Sequence, residues 1–444
     1  MALAAALRRS VVVAALGGLL FGFDTAVIAG TTDALRREFL LSPGELGLTV
    51  SIALWGTVLG ALLAGFPADR YGRRACLWAL GVLFLVSGLG CAFAWGWISL
   101  LVFRFLAGLA IGGSSVVGPM YIAEVSPARW RGRLVGVFQI DIVVGILAAY
   151  LSNYLVGSMN LGDAEWRVKF GVEAVPAALF LVMLVGIPHS PRWLVEKGRL
   201  EEARRTLRLI GEKDVEGSLT RMIDASRIER PRGQDRLFTG RYRFPLFLGI
   251  SIAVFNQLTG INAILYYLND IFASAGFDKL SSDLQAVAIG FTNLLFTILA
   301  MTLIDRIGRR KLLAIGSAGM AVALAGVAGI FWTGGREELL LWLLIGFIAS
   351  FAFSQGAVIW VYLAEVFPTA VRARGQSLGS ATHWIMNAFV SWAFPIVAAS
   401  SRAAPFAFFA CMMVLQLAVV LAVYPETKGV ALEEMEGELT DPAS

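Results

Sequence analysis

The chain has 444 residues, of which 57% are hydrophobic and only 16% are charged. Soluble domains carry about 25% charged residues, so this composition excludes an ordinary soluble protein and indicates one that crosses a membrane repeatedly. Three cysteines and two histidines offer no disulfide framework or His-rich metal site, and the net charge of +5 comes from arginines at the ends of apolar segments.

Twelve apolar segments run along the chain in two groups of six. The first group lies at about 11–30, 46–68, 75–95, 97–121, 134–157 and 168–188, and the second at about 245–273, 284–304, 312–333, 338–364, 376–400 and 404–424. Because a bilayer offers no water to the backbone, such segments must be helices. The first resembles a signal peptide, but Asp24 interrupts it, so it is predicted to stay as a span. The predicted fold is an all-α membrane protein with twelve transmembrane helices.

A polar stretch divides the chain into regions. Residues 1–188 are predicted to form an N-terminal six-helix bundle and 245–424 a C-terminal one, with a linker at 189–244 and a tail at 425–444. The linker is expected to contain short amphipathic helices, since residues 200–210 have helical spacing. Arginine-rich loops place both termini and the linker in the cytoplasm by the positive-inside rule. Only six of the 37 basic residues are lysine, which favours a GC-rich bacterial genome and hence a bacterial inner membrane.

Two motifs occur once in each half at nearly the same offset. DRYGRR at 69–74 returns as DRIGRR at 305–310, and EVSP at 124–127 returns as EVFP at 365–368. This duplication indicates two parallel structural repeats around a central site. The acids and arginines of the motifs are predicted to form cytoplasmic gating salt bridges, and the alternative is that they only fix the topology. These residues are Asp69, Arg73, Glu124, Arg131, Asp305, Arg309, Glu365 and Arg372.

Five further segments are typical of one family. They read GGLLFGFDTAVIAG at 17–30, PMYIAEVSPARWRG at 119–132, SPRWL at 190–194, QLTGINAILYY at 257–267 and PETKG at 425–429. With the repeated loops they resemble the sugar porters of the major facilitator superfamily, from the first helix to the tail. The resemblance implies the fold of that superfamily, a monosaccharide substrate and transport by alternating access. No cofactor or metal is implied, and the protein is expected not to be an enzyme.

An acid lies in the middle of the first span and an arginine within the fourth. A charge at the bilayer centre costs about 2.5–3.5 kcal/mol on insertion scales, so Asp24 and Arg104 are functional candidates. In similar sugar porters this aspartate is associated with proton coupling, which the pair is predicted to carry; a static salt bridge is the alternative. Phe103 stands where relatives often have glycine. Asp141 in the fifth span is either a second titrating group or the partner of a neighbouring helix.

Amides and tryptophans make up most of the other polar residues in the spans. Amides match sugar hydroxyls, and an indole packs on the C–H face of a sugar; hydrogen bonding between helices is the alternative role of the amides. A helix break at Gly260 would turn the amides on either side of it inward. Tyr266 and Tyr267 are candidates for the extracellular gate, or else pack in the core. The resemblance implies a substrate pocket of Gln139, Asn256, Gln257, Asn262, Asn293, Trp360, His383, Trp384 and Asn387.

Three positions depart from the family pattern and leave the identity of the sugar open. Asn256 replaces a glutamine. In the tenth predicted span, Ala357 follows Gly356 at a position where relatives commonly have a proline. His383 replaces an amide, so it binds substrate, titrates near neutral pH or is a hydrogen-bonded neutral side chain.

The sequence therefore predicts a monomeric symporter for a proton and a monosaccharide, either a hexose or a pentose. Its expected partners are the sugar, the proton and the lipid bilayer, with no nucleic acid. The first alternative is a facilitative uniporter for sugars or polyols on the same fold. The second is a non-transporting sugar receptor, which generally needs a long cytoplasmic tail, whereas only about 20 residues follow the last predicted helix.

Overall fold

The computed structural model describes residues 4–127, 129–228, 237–368, 371–428 and 439, without the side chains of residues 225–228, 305 and 373. Regular structure in these residues is helical throughout. The first helices are α1 (Ala5–Val27), α2 (Thr32–Phe39), α3 (Pro43–Leu63), α4 (Gly65–Tyr71), α5 (Arg73–Ala92), α6 (Trp97–Val125), α7 (Arg131–Ser158), α8 (Glu165–Gly171), α9 (Ala174–Leu184), α10 (Pro191–Glu196), α11 (Leu200–Leu209) and α12 (Val215–Ile228). They are followed by α13 (Arg243–Leu258), α14 (Ile261–Tyr266), α15 (Leu268–Ser274), α16 (Lys279–Ile307), α17 (Arg309–Thr333), α18 (Leu340–Phe353), α19 (Gln355–Val366), α20 (Arg372–Ser400) and α21 (Ala404–Ala422).

Ten stretches of the described residues are long and apolar enough to cross a membrane. The two remaining predicted spans are also helical but differ in form. The sixth is split into two helices: α8 ends at Gly171, and α9 begins at Ala174. The eleventh is α20, whose 29 residues include Arg374, His383 and Asn387, and these polar residues lower its mean hydropathy. Together these stretches give the all-helical, twelve-span fold that the sequence predicts.

The chain packs as two compact units. The first contains Met1–Val27 and Ile52–Arg232, and the second contains Ile28–Ser51 and Gly233–Ser444. Residues 28–51 pack within the second unit because they contact α15 and α20. Arg36 Nη2 lies 3.4 Å from Asp270 Oδ1, and a Cβ on Gly47 would lie 2.3 Å from the carbonyl oxygen of Trp392. The predicted boundaries after residues 188, 244 and 424 stay a prediction.

Glycines let α1 and α7 meet backbone to backbone in the first unit. A Cβ on Gly22 would lie 1.9 Å from the carbonyl oxygen of Ile142, and one on Gly145 would lie 2.1 Å from that of Leu19. Small residues at such crossings permit the close van der Waals contact that drives helix association in membranes. This contact fixes the part of α1 that carries Asp24.

Gly22→Ala is expected to destabilise the protein by about 2 kcal/mol or more, because the backbone of Ile142 cannot move aside as a side chain can. The matched control is Gly132→Ala on α7, where an added Cβ meets nothing within 4 Å. Thermal unfolding of the two purified variants measures the difference. Equal midpoints would show that α1 and α7 can separate without cost.

The linker forms three short helices, α10 to α12, in the first unit. Ser190 caps α10 by accepting a hydrogen bond from the backbone N–H of Trp193, at 3.2 Å. The predicted amphipathic stretch is α11, which buries Ala203 and Leu207 and is joined to α12 by Arg204 Nε donating to Glu216 Oε1, at 2.6 Å. This hydrogen bond lowers the pKa of the Glu216 carboxyl.

Candidate functional site

The proton-coupling candidates form a buried ion pair in the first unit. Asp24 on α1 is 1% exposed and Arg104 on α6 is 2% exposed. Arg104 Nη1 donates to both carboxylate oxygens of Asp24, at 3.0 and 3.1 Å. The guanidinium also faces the ring of Phe170, 5.8 Å from its centroid. Removing one partner of such a buried pair would leave the other charge buried without compensation.

A second carboxylate, not among the predicted residues, shares this pocket. Glu173 lies just before α9, is 1% exposed, and interacts with both Asp24 and Arg104. Neither of its carboxylate oxygens has a hydrogen-bond donor among the described residues. Glu173 is thus a second buried carboxylate next to the Asp24–Arg104 pair, without a described donor of its own.

Phe103 is accommodated by a glycine on the neighbouring helix. A Cβ on Gly90 of α5 would lie 2.1 Å from the ring of Phe103. The ring also meets Trp95 edge to face, with 6.1 Å between centroids. The missing side chain at Gly90 therefore makes room for a bulky residue beside Arg104.

A helix break positions substrate-binding candidates in the second unit. α13 ends at Leu258 and α14 begins at Ile261, with Gly260 between them at φ +80°. This left-handed conformation favours glycine, and a Cβ would also lie 2.3 Å from the ring of Phe409. Thr259 Oγ1 accepts from the backbone N–H of Ile261, at 3.0 Å, and so satisfies a donor that the break frees. The interruption is the one that the sequence predicts at Gly260.

Gln257 is the centre of a hydrogen-bonded cluster around this break. Its Oε1 accepts from Asn262 Nδ2 at 2.9 Å, and its Nε2 donates to Asn256 Oδ1 at 3.1 Å. The same Nε2 lies 3.2 Å from each ring nitrogen of His383. With the amide in this orientation, the histidine nitrogen that bonds to it accepts. The cluster is thus built from three amide side chains and one imidazole.

Two indoles flank the imidazole of His383. Its ring centroid lies 5.1 Å from that of Trp360 on α19 and 5.0 Å from that of Trp384 on α20. Trp360 is 39% exposed and Asn262 is half-buried, so the cluster is accessible on the side where these two lie. An amide network next to an exposed indole face has the groups that a sugar ring requires.

Gln355, which is also absent from the predicted set, extends the amide network. It begins α19, immediately after a break at Ser354. Gln355 Oε1 accepts from Asn256 Nδ2 at 3.4 Å, while its own Nε2 is buried without a partner among the described residues. The side chain of Gln355 thus reaches that of Asn256, which is shorter than the glutamine that relatives have there. The tenth predicted span, which forms α18 and α19, is thus interrupted here although it lacks the family's proline.

The gate candidates and Asn387 are joined through α20. Asn387 Nδ2 donates to the hydroxyl oxygen of Tyr266 at 3.3 Å and Asn387 Oδ1 accepts from Ser391 Oγ at 3.1 Å. The Tyr267 hydroxyl donates to the carbonyl oxygen of Ser391 at 3.0 Å. Both tyrosines are buried, at 2% and 1% exposure. A change at Asn387 can therefore reach both tyrosines.

Three further residues take part in none of the hydrogen bonds or ion pairs described above. Asn293 is 6% exposed on α16 of the second unit. Gln139 is half-buried on α7 of the first unit. Asp141, two residues later on α7, is also half-buried and forms none of the ion pairs that the structure describes. No bond in the described residues links any of the three to the Gln257 cluster.

The repeated loop motif forms an ion-pair cluster in the first unit. Arg73 Nη2 lies 2.9 Å from Glu124 Oε1, and its Nη1 lies 3.3 Å from Asp69 Oδ1. Arg131 Nε donates to the carbonyl oxygen of Ala123 at 3.1 Å. Arg73 is thus the residue that connects the ends of α4 and α6.

The second unit repeats this arrangement. Arg309 Nε and Nη2 donate to the two oxygens of Glu365, at 3.1 and 2.9 Å, and Thr427 Oγ1 donates to the same carboxylate at 2.6 Å. Glu426 Oε1 accepts from the backbone N–H of Arg309 at 2.8 Å, and Arg372 Nε donates to the carbonyl oxygen of Phe367 at 3.1 Å. The side chain of Asp305 lies outside the described residues.

Comparison with known families decides the identity. The family model described as "Sugar (and other) transporter" matches residues 10–439. The chain belongs to this family of sugar transporters. The transporter is 36% identical over 467 residues to the D-xylose-proton symporter of Escherichia coli (strain K12), covering 96% of this chain and 94% of the relative. It is 35% identical over 432 residues to the arabinose-proton symporter of Bacillus subtilis (strain 168), covering 95% and 93%.

Solved structures match the transporter over nearly its whole length. An inward-open conformation of the xylose transporter XylE from E. coli matches with a TM-score of 0.88 and 33% identity, covering 98% of this chain and 100% of that one. XylE bound to 6-bromo-6-deoxy-D-glucose, named as a proton:xylose symporter of the major facilitator superfamily, matches with a TM-score of 0.79 and 34% identity, covering 98% and 99%. The transporter is therefore a multi-pass membrane protein with the fold of that superfamily.

Arg309→Gln is expected to destabilise the transporter by about 3 kcal/mol, because it leaves the Glu365 carboxylate, 22% exposed, without its ion-pair partner. The matched control is Arg306→Gln, which removes an exposed arginine from the last turn of α16, three residues before Arg309. Thermal unfolding in detergent measures both. A midpoint for Arg309→Gln that equals the control's would show that the pair contributes nothing to stability.

Proposed function

We propose that this transporter is a proton-coupled monosaccharide symporter. The observation that carries the proposal is the buried Asp24–Arg104 ion pair, which has a second buried carboxylate, Glu173, close to it. A uniporter needs no titrating group in a span, and burying one is costly. The names of the D-xylose-proton and arabinose-proton symporters support the same function.

The proton acts by changing the partner of Arg104. A proton on Asp24 removes the charge that holds the guanidinium, which then has Glu173 as its remaining carboxylate. Because Asp24 lies on α1 and Arg104 on α6, protonation alters what ties these helices together. That change supplies the two-state element that alternating access requires.

The Gln257 cluster binds the sugar in this proposal. Gln257, Asn256, Asn262 and Asn387 supply hydrogen bonds to hydroxyls, and the Trp360 indole packs on the C–H face of the ring. The substrate is a hexose or a pentose. Tyr266 and Tyr267 close the extracellular side of the site. The remaining members of the proposed pocket are Gln139, Asn293, His383 and Trp384.

The ion-pair clusters at Arg73 and Arg309 form the cytoplasmic gate, which opens when these ion pairs break.

Both termini and the linker are cytoplasmic, and the protein acts as a monomer in a bacterial inner membrane. A membrane potential of 100 mV contributes about 2.3 kcal/mol for each proton that enters. At one proton per sugar, this energy supports roughly 50-fold accumulation of sugar.

Uptake into proteoliposomes tests the function. Labelled D-xylose, L-arabinose, D-glucose and D-galactose would each be supplied with an inward proton gradient, with and without a protonophore. Accumulation of at least one sugar above its outside concentration, abolished by the protonophore, is the expected result. Uptake that only equilibrates and ignores the gradient would make the protein a uniporter. If no monosaccharide moved, the proposal would be wrong.

A further inference from the structure

The second unit contains a cavity beside Tyr267, separate from the Gln257 cluster. Its volume is about 320 Å³, at the lower end of the roughly 300–1,000 Å³ typical of ligand pockets. The ends of α15, α17, α20 and α21 surround it, together with Arg36 and Pro43 from the chain around α2. The transport cycle proposed above assigns it no role.

One wall of the cavity is a continuous series of aromatic rings. Tyr267 stacks on Phe394 with 5.2 Å between centroids, Phe394 meets Phe406 edge to face at 6.0 Å, and Phe406 stacks on Phe331 at 5.5 Å. Ala398 and Ala399 also line the cavity, and their small side chains leave space next to these rings. The wall offers ring faces and edges to the C–H groups of a ligand.

The opposite wall has strong donors and a strong acceptor. Arg36 Nη2 lies 3.4 Å from Asp270 Oδ1, at the long end of ion-pair distances. Arg402 Nη1 donates to the carbonyl oxygen of Ser274 at 2.9 Å, which leaves other N–H groups of this exposed guanidinium available to a ligand. The wall thus has N–H donors and a carboxylate acceptor side by side. A neutral ligand whose groups both donate and accept fits both.

The geometry points to an outer binding site for a monosaccharide in this cavity. Hydroxyls of the sugar bond to Arg402, Arg36 and Asp270, and its C–H face lies on the aromatic wall. The inference rests on the proposed sugar transport. Tyr267 forms part of the cavity and is linked through Ser391 to Asn387, which belongs to the proposed sugar-binding site around Gln257, the inner site. The sugar is thus held next to the gate candidate before it reaches the inner site.

A fluorine label next to the cavity tests the inference. Ser400 is exposed and adjoins Ala399, so Ser400→Cys carries a trifluoromethyl tag in the full-length protein in nanodiscs. Cys411→Ser removes the exposed native thiol, while Cys76 and Cys91 are buried. Gln257→Leu or Trp360→Ala, in separate preparations, disables the inner site. D-xylose and D-glucose are titrated while the ¹⁹F shift is followed, with sucrose as the oversized control.

The expected result is a saturable shift with at least one monosaccharide, half-saturated in the millimolar range, that persists when the inner site is disabled. Arg402→Gln is expected to weaken it about tenfold or more, as loss of a charged hydrogen bond does. Phe406→Leu is expected to weaken it too, and sucrose to produce no shift.

A shift that vanishes with the inner-site substitutions would report the inner site and overturn the inference. So would an unmoved label in protein that still transports the sugar, and this outcome leaves the proposed function standing. If the wild type neither binds nor transports any monosaccharide, the proposed function fails and the outer site fails with it.

Discussion

Asp24→Asn is expected to abolish uphill sugar uptake while leaving exchange of sugar across the membrane intact. Asparagine is close in shape to aspartate and can still accept a hydrogen bond from Arg104, but it cannot release or take up a proton. The coupled cycle then stops, whereas the Gln257 cluster remains available to bind sugar. The accumulation ratio at 100 mV should fall from as much as about 50 to 1.

Uptake and counterflow in the same proteoliposomes measure the two activities. Asp141→Asn is the matched control, because it makes the same change in a span of the same unit, at a carboxylate that forms none of the described ion pairs. The control should keep both activities. Should Asp141→Asn lose accumulation while Asp24→Asn keeps it, the proton carrier would be Asp141 and the Asp24–Arg104 pair would be structural.

Glu173 bears on how this result is interpreted. It is buried next to Asp24 without a hydrogen-bond donor among the described residues, so it is the other group in the pocket able to hold a proton. If accumulation survived in Asp24→Asn, Glu173→Gln in that background would show whether the proton had moved to the second carboxylate. Loss of accumulation only in the double variant would assign coupling to the pair.

Hydropathy and spacing predict the fold because a bilayer leaves the backbone few choices. The sequence also predicts the break at Gly260, since a glycine inside an apolar helix indicates a position that needs a special conformation. Glu173 and Gln355 carry the same kind of signal as Asp24 and Gln257, a polar residue inside an apolar segment. Both could have been predicted by treating every polar residue inside an apolar segment as a candidate functional residue.

Other features depend on contacts that sequence spacing does not encode. Arg73 pairs with Glu124, 51 positions later in the chain, as well as with its near neighbour Asp69. Residues 28–51 pack with Asp270 and Trp392, more than 200 positions later in the chain. Such partners are set by tertiary packing, so only the structure identifies them.

Gln257→Leu is expected to raise the dissociation constant for the sugar about 10- to 100-fold. Leucine has a similar volume, but it removes the acceptor for Asn262 and the donor for Asn256 and His383. A neutral hydrogen bond to the sugar that is lost costs about 0.5–1.5 kcal/mol, and a sugar hydroxyl buried without a partner costs about 1–3 kcal/mol. The matched control is Gln416→Leu on α21, a fully buried amide with no partner for either amide atom among the described residues.

Binding measured against a series of deoxy sugars separates direct contact from support of the cluster. If Gln257 bonds to one hydroxyl of the sugar, the analogue lacking that hydroxyl should bind the wild type weakly. Its affinity should then fall little further in Gln257→Leu. If Gln257 only orients Asn262 and His383, every sugar should weaken by the same factor. Parallel thermal midpoints exclude a general loss of folding. Unchanged affinity for all sugars would remove Gln257 from the binding site and leave it a residue that joins helices.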